Sequence, residues 1–268
     1  CTVPAVMGAR TMENEKDRRM TIMLVPFMSC SARLPVYGLL VSAFFPTHRA
    51  LIVVSLYLIG IGLAILSGLI LKRFVFRGAA APFLLELPPY RMPTVRNVAT
   101  HVWEKVKDFL TRAATLILAM SVVLWLLQSF TLHGQFTTDV SASLLANIGS
   151  VLAPLFIPCG FGVWQAAVAL LTGLIAKEAV VSSMSLFYGF SLTASGATVA
   201  LALSGTFTPV AAYAFLVFCA LYTPCVASIA TIRREMGSAK WTLACLGWQL
   251  GLAYLGSLLV YQIGSLLF

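Results

Sequence analysis

Three stretches of the chain place sulfur or charged side chains beside residues that interrupt helices. Each lies in an apolar region: TIMLVPFMSCSARLPVY at 21–37, IPCGFG at 157–162 and LYTPCVASI at 221–229. Proline removes a backbone donor and breaks a helix, and in lipid the freed carbonyl needs a partner inside the protein or around a water-filled cavity. Broken apolar helices that carry thiols therefore indicate a pathway or a binding site rather than a plain anchor.

The sulfur atoms suit a transition metal. Cys30 follows Met28 closely, and Cys225 follows Pro224. Thiolate and thioether are soft ligands, so a cysteine beside freed carbonyls could briefly hold a dehydrated Fe(II) ion. The six cysteines, at positions 1, 30, 159, 219, 225 and 245, contain no CxxC pair and suggest no disulfide framework. Cysteine spacing alone does not specify iron, and positions 219 and 245 are interpreted as small buried hydrophobes.

Lys177 and Glu178 are the only charged residues between Asp139 and Arg233. A charge at the bilayer centre costs about 2.5–3.5 kcal/mol on insertion scales, and adjacent residues on a helix do not face each other, so the two need separate partners. One interpretation puts them near a helix end, where they snorkel. The one we favour has Glu178 lining a polar cavity as a ligand, a gate or a proton-linked group.

Arg33 and the helix-breaking residues form a second group of candidates. Arg33 either snorkels or clamps the carbonyls freed near Pro35. Gating or structural roles are expected for a set of residues at or beside the breaks: Pro26, Arg33, Pro158, Gly160, Lys177 and Pro224.

The composition is that of a polytopic membrane protein. Of 268 residues, 60% are hydrophobic and 10% are charged, and the mean hydropathy is +0.93, whereas a soluble domain is about a quarter charged. The formal net charge of +9 does not indicate nucleic-acid binding, because the basic residues stand at the ends of apolar runs. That is the pattern of Lys and Arg held on the cytoplasmic side of a membrane.

The charge pattern also predicts the topology. Nearly all Lys and Arg lie in 10–19, 72–112 and 233–240, which are expected in the cytoplasm, and the loops at 46–49, 131–142 and 191–206 are then outside. Segment 143–190 begins and ends outside, so it forms either two spans or a re-entrant loop plus a helix. Residues 95–113 alternate apolar and basic positions at helical spacing, which predicts an amphipathic helix on the inner membrane surface that then turns into the bilayer. The alternative is a solvated helix packed on another domain.

The predicted fold is therefore an all-α, polytopic transmembrane bundle with broken or re-entrant helices and an amphipathic interfacial helix.

Four longer stretches resemble, in the expected order, motifs of the FeoB family of bacterial ferrous iron transporters. They are the segment at 1–40, LPPYRMPT at 87–94, GFGVWQAAVALLTGLIAKEAVV at 160–181 and YTPCVASIATIRRE at 222–235. The resemblance implies Fe(II) import across the bacterial cytoplasmic (inner) membrane by a multi-pass protein. It also implies two gate-type repeats, akin to those of nucleoside transporters, whose broken helices meet near the midplane.

The resemblance assigns roles residue by residue. Cys30 stands at the cysteine of the PFMSC motif, Cys225 at that of YTPC, Cys1 at the cysteine before VPA, and Glu178 in the KE of the second gate. Together with Met28 they are the candidate Fe(II) pathway. The implied division is the end of the first gate repeat with two transmembrane helices in 1–77, a cytoplasmic linker and interfacial helix in 78–112, and the second gate repeat with terminal transmembrane helices in 113–268.

One departure concerns nucleotide chemistry. Family members carry an N-terminal GTP-binding domain, but this sequence contains no G-x-x-x-x-G-K-[ST] phosphate loop. We therefore expect no enzyme activity, catalytic residue or cofactor in this chain, with GTP and Mg bound only by the GTPase domain of the parent protein. Because the chain opens on Cys1 without a Met, it is interpreted as a fragment that lacks this domain and part of the first gate.

The expected partners are Fe(II), membrane lipid, the missing segments, a small cytoplasmic accessory protein and further copies of the chain, but no nucleic acid.

Two other function classes remain open at this stage. A gate-domain transporter of nucleosides or another organic solute would need donors and acceptors along its path, and the chain offers few: Gln128, Asn147, Gln165, Glu178, Gln249 and Gln262. A membrane thiol enzyme using Cys159 or Cys225 would need a basic partner to lower the thiol pKa. The three histidines, at 48, 101 and 133, all fall in predicted loops or at the interface.

Overall fold

A computed structural model describes residues 1–76, 92–131, 135–137, 140–191 and 195–267. Within these residues the fold is all-α, with no strand beyond an isolated bridge between Phe130 and Phe136. The helices, in chain order, are α1 (Thr2–Gly8), α2 (Glu15–Leu24), α3 (Leu34–Phe44), α4 (Arg49–Phe74), α5 (Val95–Ser129), α6 (Leu144–Phe156), α7 (Trp164–Ile175), α8 (Ala179–Tyr188), α9 (Gly196–Leu203), α10 (Pro209–Leu221), α11 (Val226–Met236) and α12 (Ala239–Leu267).

Four helical segments in the described residues are long and apolar enough to cross a membrane. They are Glu15–Phe44, which joins α2 and α3, Arg49–Phe74, Pro209–Met236, which joins α10 and α11, and Ala239–Leu266. A fifth candidate is the pair α6 and α7, which is bent by 104° at its break and is either a broken span or a re-entrant loop. The predicted polytopic helical fold with broken helices is confirmed.

Two of the spans are interrupted where the sequence places proline. After α2 the chain forms short 3₁₀ turns at Val25–Phe27 and Ser31–Arg33, and α3 begins with Pro35 in its first turn, where proline is tolerated. After α10 the backbone of Tyr222 is extended, and α11 starts just beyond Pro224. Each interruption leaves carbonyls without a helical partner near the middle of a span.

The bend between α6 and α7 depends on Gly160. Its φ is +84°, in the left-handed region that only glycine enters at little cost. A Cβ at this position would also collide with the ring of Tyr261 on α12. The turn Ile157–Cys159, which contains Pro158, ends at this glycine, so the residues of the PCGFG motif form the bend.

Helix α5 differs from its prediction. The sequence suggested a surface helix that turns into the bilayer near residue 113, but the structure has one helix from Val95 to Ser129. Neither glycine nor proline occurs between those residues, so nothing in the backbone interrupts the helix. The boundary near residue 77 falls at the segment 77–91, which lies outside the described residues, and the division into gate repeats stays a prediction.

Helix α10 lies at the centre of the bundle, and most of its side chains are buried. It packs mainly against α12 and also contacts α3 and α4. Beside it, Phe156, Phe161, Phe215 and Phe218 stack or meet edge to face at centroid distances of 5.3–6.0 Å. This aromatic cluster fills the space next to the α10–α11 break.

Candidate functional site

A cavity of about 300 Å³ lies where three breaks meet. Its walls come from the α2–α3 break at 30–33, the α7–α8 junction at 176–178 and the α10–α11 break at 224–225. The first three residues of the chain, Ile117 of α5, the end of α7 and the first turn of α11 complete the lining. The geometry thus places the interrupted helices around one space, as broken helices in a membrane require.

Most of the residues singled out from sequence line this cavity: Cys1, Cys30, Arg33, Lys177, Glu178, Pro224 and Cys225. Four others do not. Met28 is 52% exposed, and Pro26 is buried at the same break. Pro158 and Gly160 lie at the α6–α7 bend, where the Pro158 carbonyl accepts a hydrogen bond from Gln262 Nε2 of α12 at 3.1 Å.

The possible metal donors are near one another without forming a closed coordination shell. Cys30 and Cys225 are half-buried, and Cys1 is exposed. Cys225 Sγ lies 3.4 Å from Ser228 Oγ, and Glu178 is exposed at the edge of the cavity. Among the described residues, no three His, Cys, Asp or Glu side chains are grouped so as to hold a metal ion.

The side chain of Arg33 connects the α2–α3 break to the α10–α11 break. It is buried, with 3% of its surface exposed. One terminal nitrogen donates to the carbonyl of Met28, and the other donates to the carbonyls of Pro26 and Tyr222, all at 3.4 Å. The guanidinium therefore connects carbonyls freed on both sides of the cavity.

Lys177 binds a carbonyl at a shorter distance than Arg33 does. Its Nζ donates to the carbonyl of Thr223 at 2.7 Å and lies 3.1 Å from the centre of the Tyr222 ring. A cation over an aromatic face is stabilised by the ring quadrupole. Lys177 lies between α7 and α8, and both contacts are to the α10–α11 break, so the lysine joins the third wall of the cavity to the second.

The electrostatics of the buried end are those of two like charges. Arg33 and Lys177 both line the cavity, and both are buried. The carboxylate that lines the cavity, Glu178, is on its exposed side. In this arrangement the buried end of the cavity repels a cation unless the lysine or the arginine moves.

Three residues of the site were not found from sequence in their present roles. Tyr222 supplies an aromatic face, Thr223 supplies a carbonyl, and Cys219, interpreted as a buried hydrophobe, lies in the last turn of α10 beside the break. The first two belong to the YTPC motif, which was a usable signal. Nothing in the sequence around Cys219 distinguishes it from a core residue.

An ion pair braces one wall of the cavity. Arg10 Nε donates to Glu235 Oε2 at 2.6 Å, and a second Arg10 nitrogen donates to the other carboxylate oxygen. Helix α1, which begins at the cavity, runs beside α11, which also begins there. The pair therefore fastens the far ends of both helices together.

Two family models match adjacent parts of the chain. A model described as "Ferrous iron transport protein B C terminus" matches residues 53–105, and a model described as "Nucleoside recognition" matches residues 110–239. No solved structure matches the chain.

The curated relatives extend the match over the whole chain. The Fe(2+) transporter FeoB of Staphylococcus aureus (strain COL) is 43% identical over 99% of this chain and 39% of its own length. That of Methanocaldococcus jannaschii is 39% identical over 100% of this chain and 40% of its own length. A Porphyromonas gingivalis protein named as a fusion of Fe(2+) transport protein A and Fe(2+) transporter FeoB is 35% identical over 100% of this chain and 37% of its own length.

The chain thus spans less than half the length of these relatives. Several apolar helices and the named relatives together identify a multi-pass integral membrane protein. The motifs, the fold and both family models converge, and the chain belongs to the FeoB family of ferrous iron transport proteins.

Proposed function

We propose that this chain forms part of the pathway by which Fe(II) is taken up across the cytoplasmic membrane. The observation that carries the proposal is the meeting of Cys1, Cys30, Cys225 and Glu178 around one cavity between broken helices. Fe(II) accepts both sulfur and oxygen ligands, and a few such groups at a helix break bind an ion weakly enough to release it. The names of the relatives agree with this substrate.

The pathway belongs to a larger assembly in this proposal. We infer that a GTPase domain of the complete protein binds GTP and Mg²⁺ and controls the passage, while this chain conducts the ion and catalyses no reaction. The fusion protein of Porphyromonas gingivalis joins two iron transport proteins in one chain, which supports a small accessory protein as a partner. Membrane lipid surrounds the exposed apolar faces, and assembly with further copies of the chain remains a prediction.

An organic solute fits the cavity less well. Among the residues that line it in the described parts of the chain, there is no Asn or Gln, although these side chains would hydrogen-bond a nucleoside base or ribose. None of the glutamines or the asparagine named in the sequence analysis lines this cavity. Competition of uptake by nucleosides but not by divalent metals would favour this alternative.

The test is Fe(II) uptake by cells that express the complete gene encoding this chain and lack other Fe(II) importers. We expect Cys30→Ser and Cys225→Ser each to lower the initial uptake rate by about tenfold or more, the scale at which even supporting residues of metal sites act. A hydroxyl is a poorer ligand than a thiolate for a late transition metal.

Cys245→Ser is the matched control. Cys245 is fully buried on α12, does not line the cavity and accepts a hydrogen bond from Gln249 Nε2 at 3.1 Å, which serine can also accept. Its uptake should stay near that of the parent protein at equal amounts in the membrane. Unchanged uptake in both cavity variants would remove the thiols from the pathway.

A further inference from the structure

Two buried cations meet the cavity without a carboxylate to balance them. Lys177 and Arg33 are 4% and 3% exposed. In the part of the chain that the structure describes, no carboxylate oxygen lies within 4.0 Å of either one. Charges inside membrane proteins are almost always paired with each other or with backbone carbonyls and mark ion pathways, so their partners here show what they do.

Both cations bind backbone carbonyls at helix breaks. Lys177 Nζ is 2.7 Å from the Thr223 carbonyl, and the three carbonyl contacts of Arg33 are at 3.4 Å. In transporters with broken helices, carbonyls of unwound segments coordinate the transported cation. The lysine therefore occupies, by a short contact and over the Tyr222 ring, a position with the chemistry of a cation site.

The same position has an unused ligand. The hydroxyl oxygen of Thr223 is buried and has no hydrogen-bond partner among the described residues. A buried hydroxyl without a partner costs free energy. Once Lys177 leaves, the carbonyl and the hydroxyl of Thr223 would both be available to a metal ion.

Thiols occur on both sides of the α10–α11 break where Lys177 binds. Cys30 and Cys225 line the cavity. Cys219 does not; it lies on α10, on the other side of the break, buried next to Tyr222 and Phe218. Lys177 Nζ donates to the Thr223 carbonyl inside the break between them, so an ion that moved from the cavity to Cys219 along the break would meet the ammonium.

We propose that Lys177 is a tethered cation that plugs the pathway at the α10–α11 break and is exchanged for the metal ion during passage. This inference rests on the proposed function and names its gate. When the ammonium leaves the Thr223 carbonyl, the ion takes its place between Cys219 and the Cys30–Cys225 cavity. When the ion leaves, the lysine returns and blocks the passage by its volume and its charge.

The experiment measures whether Cys219 can be reached from the cavity. The complete protein, purified without metal in lipid nanodiscs, is treated with a small charged methanethiosulfonate reagent, and each cysteine is quantified by mass spectrometry. In the parent protein we expect labelling of Cys225 but not of Cys219. Lys177→Met keeps the length of the side chain without its charge and releases the carbonyl, and should increase the rate of Cys219 labelling by about fivefold or more, the lower end of coupling between sites.

Two controls separate the plug from a general loosening of the fold. Lys177→Arg retains a cation and donors and should leave Cys219 protected, and so should Lys240→Met, because Lys240 is exposed at the start of α12. Labelling of Cys225 at the parental rate shows that the cavity is intact. If Cys219 stays protected in Lys177→Met while Cys225 is labelled normally, Lys177 is a structural clamp and the proposal is wrong.

A measurement on the parent protein covers the case in which Lys177→Met does not fold. The lysines are reductively methylated under anaerobic conditions with and without Fe(II), and the modification of Lys177 is quantified. We expect Lys177 to be protected without metal and modified with it, since exchange releases the ammonium. Equal protection in both conditions would contradict the exchange.

These readouts also separate this proposal from the transport function. Parental protein that transports Fe(II) while Lys177 and Cys219 stay protected would overturn the plug alone. Protein that fails to transport Fe(II), but in which Lys177→Met exposes Cys219, would retain the plug and overturn iron as the substrate.

Discussion

Arg33 and Lys177 both donate hydrogen bonds to carbonyls at helix breaks, but with different geometry. A break in a membrane helix frees carbonyls that water cannot reach, and the guanidinium offers five donors in a planar fork, whereas an ammonium is a compact point charge. Arg33 spreads its donors over carbonyls of Pro26, Met28 and Tyr222, while Lys177 concentrates on one carbonyl and one ring. The arginine is suited to holding the two breaks together, because its three contacts would all have to break at once. The lysine has a single carbonyl contact to release.

This difference predicts the effect of Arg33→Lys. The variant keeps the buried charge but cannot reach carbonyls on both sides of the cavity, so at least one loses its partner. Leaving a buried acceptor unsatisfied costs about 1–3 kcal/mol, and the long 3.4 Å contacts place the loss near the lower end. Denaturant unfolding in detergent micelles would measure it.

Arg49→Lys is the control for Arg33→Lys, because Arg49 is exposed at the start of α4 and its replacement should change stability by no more than about 0.5 kcal/mol. Equal stability of the two variants would mean that water or another donor hydrogen-bonds to the carbonyls that Arg33 contacts.

At the level of residues, the sequence indicated most of the side chains that line the cavity but not how they pair. Cys30, Cys225, Glu178 and Lys177 stand out because polar groups in apolar runs are costly and proline breaks helices. The partner of Lys177 is a backbone carbonyl, and every residue has one, so no sequence pattern could single out Thr223. The pathway roles of these residues stay predictions.

Among the elements, the bend between α6 and α7 shows how strongly one position can constrain a helix pair. Gly160 and Gly189 both have positive φ, +84° and +69°. A Cβ at Gly160 would strike the Tyr261 ring, whereas at Gly189 it would meet no atom within 4 Å. Substituting each glycine therefore distinguishes the free-energy cost of the backbone conformation, which both positions share, from the cost of packing against α12, which only Gly160 has.

We expect Gly160→Ala to destabilise the protein more than Gly189→Ala. Both variants meet the left-handed penalty of about 1–2 kcal/mol, but only Gly160→Ala adds a steric clash, which costs about 1–3 kcal/mol in a packed interior. Thermal unfolding of the two purified variants, followed by circular dichroism, would rank them. Similar losses in both would show that α12 moves aside without cost at Tyr261.

Most of the helices could be predicted from the apolar runs in the sequence and from the proline and glycine residues that interrupt them. Helices α4 and α12 are long, uninterrupted apolar segments, the kind of element that composition indicates most directly. Helix α5 was predicted less well, because a change from basic to apolar composition was interpreted as a turn although the backbone has no reason to bend there. Helix α9 was missed within a segment of small polar residues, and it is packed against α3, a contact between distant parts of the chain that local composition does not encode.

In the whole molecule, contacts between distant segments support the predicted sidedness. The basic segments 10–19 and 233–240 touch each other through the Arg10–Glu235 ion pair, and Arg19 lies over the ring of Trp241, which also stacks on Phe76 at the end of α4. At the opposite end, Phe45 meets Tyr213, and α9 approaches the end of α3 at Ser42. Segments that the charge pattern assigned to one side are thus together in space.

Which of these ends faces the cytoplasm is set by the cost of moving basic residues across the membrane, and single cysteines can test it. We expect Thr47→Cys and Ser204→Cys to react with an impermeant maleimide in intact spheroplasts, and Lys240→Cys to react only after permeabilisation, since Lys and Arg are retained in the cytoplasm. All three positions are exposed, so burial cannot explain a failure to react. Labelling of Lys240→Cys from outside, with Thr47→Cys and Ser204→Cys protected, would show that the chain has the opposite orientation.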